Sequence, residues 1–303
     1  MDLEASKILQ RHGKSFYWAR LFLPNNIAAE ATTLYRFCRF LDDIADGDLP
    51  GGVDRLINID GQIKGTISIN EKEVSQFLQL ADKKKLDLDI VHQLILGLIS
   101  DQKKVLVQST FELVQYSYRV AGTVGLMMAP ILGARDKNAE PFAIDLGIAM
   151  QLTNISRDLL EDATLGRRYI PENWCEGIRP EEIVQVAGDP HEEKRRNIIA
   201  NSIDRLLLLA EDYYRSGLAG LCYLPPRCHL SMGIAAFVYR EIGEQLRRKN
   251  LEWWRGRQVV GIFGKVSSSM SFLPELNVRL KRPFIHNKNL HKGLEELPGV
   301  NFK

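Results

Sequence analysis

The most informative segment of the chain reads QLTNISRDLLED, from Gln151 to Asp162. Apolar residues recur through it at helical spacing, which predicts a mostly buried helix over residues 139–164. Spacings of three and four place polar side chains along one face of that helix, namely Gln151, Asn154, Asp158 and Asp162. Carboxylates in a buried helix carry a desolvation cost unless a metal or basic groups compensate them. This polar face therefore predicts a cation site.

The same periodicity dominates the rest of the chain and predicts an all-α fold. We expect helices over 3–22, 26–46, 52–66, 72–84, 87–101, 109–133, 139–164, 180–187, 191–219, 227–249 and 256–267. Residues 64–70 are the one short candidate strand. The glycine- and proline-rich breaks are too short for linkers, which predicts one helical domain over 1–275. We expect 276–303 to be a C-terminal tail along the surface.

A second acidic face occurs in LYRFCRFLDDIAD, residues 34–46. Here Tyr35, Arg39, Asp42 and Asp46 share one side of a helix. Carboxylates four residues apart repel each other by a few tenths of a kcal/mol in an isolated helix, and a divalent cation would reverse that sign. Hard oxygen ligands suit Mg²⁺, which typically takes one or two carboxylates together with phosphate oxygens. Two such helices facing each other would hold a metal-bridged diphosphate.

The simpler interpretation of each acidic run is a solvated helix face, and a single run would favour it. Two runs in apolar helices favour the metal site. Basic residues that could compensate the carboxylates stand nearby, namely Arg39, Arg157, Arg167 and Arg168.

Composition and charge limit which partners and which cellular location the sequence predicts. The 303 residues carry a net charge of +2 with basic residues spread along the chain, which argues against a nucleic-acid partner. The four cysteines lack zinc-site spacing, and nothing at the start resembles a signal peptide, so we expect a cytoplasmic protein. Residues 120–133 are too short and too interrupted to span a membrane, whereas peripheral association with a membrane surface stays open.

At this point the chain resembles the squalene and phytoene synthase family, over about residues 10–265. Beside the two acidic segments, the resemblance rests on His12-Gly13-Lys14-Ser15-Phe16, on YSYRVAGTVG at 116–125, and on GRRYIP at 166–171. It implies the helical bundle of class I terpenoid synthases, with a central active-site cavity. The length and the tail look most like the bacterial phytoene synthases.

The resemblance also implies roles for individual residues. It assigns the magnesium ions to Asp42, Asp46, Asn154, Asp158 and Asp162. Diphosphate binding falls to Arg39 and Arg157, completed by Tyr35, Gln151 and the turn from His12 to Ser15. Tyr116 would lie beside the reacting carbons, Tyr239 would contact diphosphate, and Arg257 with Lys265 would form a late basic pair.

Ordinary packing is the alternative for several of these features. Residues 120–133 could be plain helix packing, with Gly122 and Gly125 allowing close approach, and His12 and Tyr116 could be polar fillers. We expect an apolar cavity lined by Phe16, Phe37, Leu152 and one face of 120–128.

The family resemblance implies a prenyltransferase that condenses two geranylgeranyl diphosphates through prephytoene diphosphate to phytoene, in carotenoid biosynthesis. Mg²⁺ would be the cofactor with Mn²⁺ as a substitute, and no NADPH would be needed for phytoene. The alternatives are synthases of squalene, dehydrosqualene, presqualene diphosphate or hydroxysqualene from farnesyl diphosphate. Two non-enzymatic alternatives are a noncatalytic subunit and a helical adaptor. We expect a monomer or a weak homodimer.

Overall fold

A computed structural model describes residues 14–274, 276 and 284–300, with side chains from residue 16 onward. Within that part the long helices are α1 (Lys14–Arg20), α2 (Asn25–Ala45), α3 (Gly52–Ile63), α4 (Lys72–Lys84), α5 (Leu88–Ser100), α6 (Thr110–Ser117), α7 (Thr123–Ile131), α8 (Glu140–Thr164), α9 (Pro180–Gly188), α10 (Glu193–Ala219), α11 (Pro226–Arg248) and α12 (Ile262–Ser271). Short 3₁₀ turns cover Lys137–Ala139, Gly220–Tyr223, Trp253–Arg255 and Lys288–His291. The all-α prediction is confirmed.

Helix α8 forms the centre of the bundle and packs against α7, α9, α10 and α11. Its apolar residues Leu152, Ile155 and Leu159 are almost completely buried, as the sequence predicted for this segment. Because α8 has neighbours on several sides, the polar residues on its remaining side are held in fixed positions.

The helix predicted over 109–133 is interrupted in its middle. It begins at a cap in which the Ser109 hydroxyl accepts a hydrogen bond from the Glu112 amide at 3.2 Å. A π-helical turn, Tyr118–Gly122, then separates α6 from α7. Beside this turn the main chains of two elements nearly touch, because a Cβ on Gly147 would lie 2.3 Å from the Ala121 carbonyl oxygen. Such wide turns are rare and are often found at functional sites.

Two strands of two residues pair in parallel, β1 (Val105–Leu106) and β2 (Arg167–Arg168). Strands this short show no alternation of polar and apolar residues, so the sequence did not indicate them. The predicted candidate at 64–70 is wrong, since this segment forms a turn and an extended loop after α3. The β pair fixes the direction of the chain that leaves α8.

The chain after α11 also differs from the prediction. The helix expected over 256–267 begins only at Ile262, after Gly256, which adopts φ +86°. The expected surface tail fits residues 284–289, which are mostly exposed, but not His291, Leu294 and Val300, which are buried. The Tyr213 hydroxyl also donates to the Leu290 carbonyl oxygen at 2.7 Å. This C-terminal segment is therefore part of the packed bundle.

None of the helices in the described part combines the length and apolar character that crossing a membrane requires.

Candidate active site

A cavity of about 390 Å³ lies between α2, α7, α8 and α11. Its wall is mostly apolar, with side chains such as Phe16, Val120, Val124, Met128 and Met150. Helix α8 follows the cavity from Asn154 to Ala143, and at about 1.5 Å per residue this distance is roughly 16 Å. An elongated apolar ligand therefore matches the shape and the lining.

Polar side chains from three helices and one loop meet at one end of this cavity. Helix α2 contributes Tyr35, Arg39 and Asp42, α8 contributes Gln151, Asn154 and Arg157, α11 contributes Tyr239, and Arg257 follows α11. Two polar faces predicted separately from the sequence thus line one space. We call these eight residues the polar mouth.

Two groups of the polar mouth have unused hydrogen-bonding atoms. Asn154 donates to the Gln151 side-chain oxygen at 3.3 Å, while its own buried Oδ1 has no hydrogen-bond partner among the described residues. The Nε of Arg39 is likewise buried and unbonded within this part of the chain. A buried polar atom without a partner costs free energy, so both positions favour a ligand.

Arg157 of the polar mouth forms a bidentate ion pair with Asp158. The guanidinium donates to the two carboxylate oxygens at 2.7 and 2.5 Å. Arg257 adds two ion pairs, one with Asp158 at 3.1 Å and one with Glu161 at 3.5 Å. Arg39 similarly binds Asp43 at 2.5 Å. These arginines and carboxylates thus balance one another's charge.

Two carboxyl groups hold their protons unusually tightly. Desolvation, together with the nearby Asp46, Asp43 and Asp101 charges, raises the pKa of Asp42 to about 7, although Arg39 opposes the shift. Desolvation and the Asp158 charge raise the pKa of Asp162 to about 8. Both shifts arise because negative charges are concentrated in a partly dry space. A bound cation would relieve this repulsion.

A hydrogen-bonded group centred on Asp101 lies next to these carboxyls. The hydroxyls of Tyr116 and Tyr169 each donate to Asp101 at 2.9 Å, and their rings stack at 4.5 Å. Desolvation raises the pKa of Asp101 to about 6, while the two hydroxyls act in the opposite direction. Arg167 donates to Asp46 at 3.1 Å and so joins the end of α8 to the end of α2.

The sequence did not indicate the role of Asp101 or Tyr169. Asp101 follows the apolar helix α5 as an ordinary C-terminal cap residue. Its partners lie 15 and 68 residues away, so no local spacing reveals the group.

Several predicted residues lie outside the cavity lining. Four of them are adjacent to the lining through the contacts above, namely Asp46, Asp158, Asp162 and Tyr116. The side chain of Asp46 is 42% exposed. We expected Phe37 and Leu152 to line the cavity, and this prediction is wrong. Phe37 stacks on Phe77 at 3.9 Å, and Leu152 is fully buried in the core.

Four further residues were named from the sequence, namely Arg168, Lys265, His12 and Ser15. The prediction that Arg168 compensates the acidic faces is wrong. Its side chain is buried and donates to the Val107 carbonyl oxygen and to the Cys175 sulfur. Lys265 lies on α12 and is not among the residues that line the cavity. His12 is outside the described residues. Ser15 belongs to α1 by its backbone, so the expected turn from His12 to Ser15 is helical from Lys14 onward.

Comparison with known proteins identifies this arrangement. A sequence model of the family described as squalene/phytoene synthase matches residues 9–262. A 15-cis-phytoene synthase of a Paracoccus species is 32% identical, with 84% of this chain and 85% of that protein covered. One from Enterobacter agglomerans is 33% identical, with coverages of 81% and 85%.

Solved structures agree with the sequence relatives. A dehydrosqualene synthase crystallised with a ligand superposes with a TM-score of 0.78 and 25% identity, covering 90% of this chain and 95% of that one. The squalene synthase of Alicyclobacillus acidocaldarius shares the fold with a TM-score of 0.64, 19% identity and coverages of 82% and 94%. The chain therefore belongs to the squalene/phytoene synthase family and is an enzyme of the prenyltransferase type.

Proposed function

We propose that this enzyme condenses two geranylgeranyl diphosphates head to head, through prephytoene diphosphate, to phytoene in carotenoid biosynthesis. The proposal rests on one observation above all, the polar mouth that caps an elongated apolar cavity. A prenyl diphosphate has the matching form, a dianionic or trianionic head on a long hydrocarbon chain. The phytoene synthases among the relatives favour the C20 substrate.

Members of this family generally depend on a divalent metal. The residues of this chain fit Mg²⁺, because Asp42 and the unpartnered Oδ1 of Asn154 offer hard oxygen ligands at the polar mouth. Asp46, Asp158 and Asp162 would complete the set. When bound, Mg²⁺ stabilises the negative charge that develops on diphosphate, and Mn²⁺ would serve as a substitute.

The chain's own groups account for the remaining steps. Arg39 and Arg157 bind the departing diphosphate as delocalised cations, which eases cleavage of the allylic C–O bond. The apolar wall shields the resulting carbocation from water, and the Tyr35 and Tyr239 rings offer it their π faces. The double bond of the second substrate attacks this carbocation, and loss of a proton closes the three-membered ring of the cyclopropylcarbinyl diphosphate. Its ionisation, rearrangement and loss of a proton yield phytoene without a reductant.

Incubation of the purified protein with Mg²⁺ and either geranylgeranyl or farnesyl diphosphate tests the proposal, with hydrocarbon analysis as the readout. Each reaction is run with and without NADPH. We expect a C40 hydrocarbon that forms without NADPH. A C30 hydrocarbon as the sole product, from farnesyl diphosphate, would instead assign a dehydrosqualene, squalene or related synthase. No product and no released diphosphate from either substrate would favour the noncatalytic subunit.

We also propose that the enzyme works in the cytoplasm at the inner surface of a membrane. Apolar side chains project from α12 and its flanks, namely Val259, Ile262, Phe263, Val266, Met270 and Leu273. The side chain of Phe263 is 89% exposed, which is costly in water and favourable at a lipid interface. Helix α12 packs on α11, which lines the cavity with Ala235 and Tyr239. A lipid bilayer is the occupant that suits this face, because the proposed product is a hydrocarbon that water does not dissolve.

A further inference from the structure

A second group of potential metal ligands lies outside the catalytic cavity, where the C-terminal segment meets α8. Asp145 of α8 is completely buried. Its Oδ1 lies 2.8 Å from Nε2 of His291, and its Oδ2 lies 2.8 Å from Nε2 of His286. A buried carboxylate thus faces two imidazoles at once, and neither histidine has a role in the proposed prenyl transfer.

We propose that Asp145, His286 and His291 bind a zinc-type divalent cation that fastens residues 284–300 to the bundle. The three ligand atoms lie within 4.8 Å of one another. Tetrahedral Zn²⁺ with bonds of about 2.0–2.1 Å needs its ligands roughly 3.3 Å apart, so modest movements of the two rings form the site. A solvent molecule or a hydroxyl takes the fourth position.

The donor set separates this site from the one for diphosphate. Two imidazoles with one carboxylate suit Zn²⁺, and also Cu²⁺, Ni²⁺ or Fe²⁺, whereas Mg²⁺ prefers oxygen ligands. The Ser216 hydroxyl donates to Asp145 Oδ2 at 2.5 Å and so orients the carboxylate from α10. Hydrogen bonds of this kind to a ligand commonly tune metal affinity. In the metal-bound form each neutral imidazole carries its single proton on Nδ1 and binds the cation through Nε2.

A cation at this site would connect the C-terminal segment to the helical bundle. The segment that carries both histidines is also tied to α10 through Tyr213, and to α6 through Gln115, which donates to the Gly293 carbonyl oxygen at 3.0 Å. The His286 ring packs edge-on against Phe142 at 5.3 Å, and Phe142 lines the cavity. A cation at this point therefore stabilises the folded chain and supports the cavity wall, since it binds the folded state in preference to the unfolded one.

The test begins with the wild-type protein, stripped of metal by a chelator and returned to excess Mg²⁺ so that oxygen-ligand sites are occupied. Titration with Zn²⁺ by calorimetry should show about one ion bound per chain, with a rise of a few degrees in melting temperature. Co²⁺ in place of Zn²⁺ should give the visible absorption of a cobalt ion with nitrogen ligands. Absence of zinc binding by the wild-type protein under these conditions would by itself overturn the proposal.

Variants locate the ion. His286→Gln and His291→Gln should each abolish the cobalt spectrum and the zinc-dependent rise in melting temperature. His92→Gln is the matched control, because His92 pairs with Asp60 at 2.8 Å without a second imidazole, and it should behave as the wild type. Asp158→Asn should also keep the zinc response, which would argue against zinc binding at the carboxylates proposed for magnesium. Equal zinc binding by the wild type and by both ligand variants would contradict the site.

Discussion

Arg157 and Asp158 are neighbours in the chain, and the guanidinium of one grips both carboxylate oxygens of the other at 2.7 and 2.5 Å. We propose that both bind ligands of the reaction, the arginine binding diphosphate and the carboxylate binding the metal. Each group of the pair therefore balances the charge of the other. Metal and diphosphate should bind cooperatively, because either ligand alone must break this contact without replacing it on both sides.

Loss of single carboxylates tests the metal assignment. Asp42→Asn and Asp158→Asn should each lower kcat by at least about 10²–10³-fold, because an amide cannot replace the charge that binds a divalent ion. Product formation under saturating substrate measures the effect, and circular dichroism should show unchanged helicity. Asp82→Asn is the control, since Asp82 is 86% exposed and pairs only with Lys85 among the contacts described. Full activity in both site variants would remove the metal hypothesis.

The hydrogen bond from Tyr116 to Asp101 offers a more graded test. Tyr116→Phe removes a donor to the carboxylate, so the pKa of Asp101 should rise further from its value of about 6. We expect roughly a 10-fold fall in kcat/KM and an acidic limb of the pH–rate profile that moves to higher pH. Tyr213→Phe is the control. It removes a hydroxyl of α10 that donates to Leu290 in the C-terminal segment, and it should leave the pH–rate profile unchanged. An unmoved limb in Tyr116→Phe would show that Asp101 does not need to ionise.

The stability of the metal-free protein should depend on pH in an unusual direction. The pKa values of Asp42 and Asp162 are raised to about 7 and about 8, so the folded protein holds protons that the unfolded chain releases above about pH 4. Stability from these groups is therefore present at acidic pH and lost as the pH rises through 7 and 8. In chelator, the melting temperature should fall by a few degrees between pH 6 and 8.5, and Mg²⁺ should restore it.

The double variant Asp42→Asn/Asp162→Asn provides the comparison for that series. Its melting temperature should depend less on pH over the same range and should respond less to Mg²⁺. Parallel curves for the wild type and the double variant would mean that these carboxyls do not titrate as described.

Cavity length should control the choice between C20 and C15 chains. Ala143 lines the cavity about 16 Å along α8 from Asn154, and Ala143→Phe would fill space that only the longer chain needs. We expect C40 product from geranylgeranyl diphosphate to fall much more than any C30 product from farnesyl diphosphate. Competition between the two substrates in one reaction measures the ratio. Ala29→Phe, on the exposed side of α2, should leave it unchanged.

The apolar face of α12 predicts binding to lipid. Phe263→Ser combined with Ile262→Ser should reduce cosedimentation with vesicles of mixed neutral and anionic lipids several-fold, because two exposed apolar side chains are lost from the interface. Turnover of substrate dispersed in detergent should persist. Leu208→Ser is the control, because Leu208 is exposed on α10. An equal loss of vesicle binding in this variant would argue against a specific lipid-binding role of α12.

The sequence predicted those parts of the site in which spacing along one helix carries the information. Asp42 with Arg39 and Asn154 with Arg157 could be placed on polar faces because helical geometry relates residues three and four apart. Asp145 could not be distinguished, since it stands alone among apolar residues and its partners come 141 and 146 residues later. The burial of His291, Leu294 and Val300 could not be predicted for a similar reason, because polar and charged residues are interspersed with the few apolar ones that pack.

The close contact between α8 and the elements that precede it constrains how this enzyme could diversify. A Cβ on Gly125 would lie 2.1 Å from the Ala143 carbonyl oxygen, so this wall of the cavity is built of main chain on both sides. Substitution there would separate the helices before it could reshape the space for a hydrocarbon. Changes towards shorter or longer products are therefore expected at positions whose side chains line the cavity, such as Ala143, and not at Gly125.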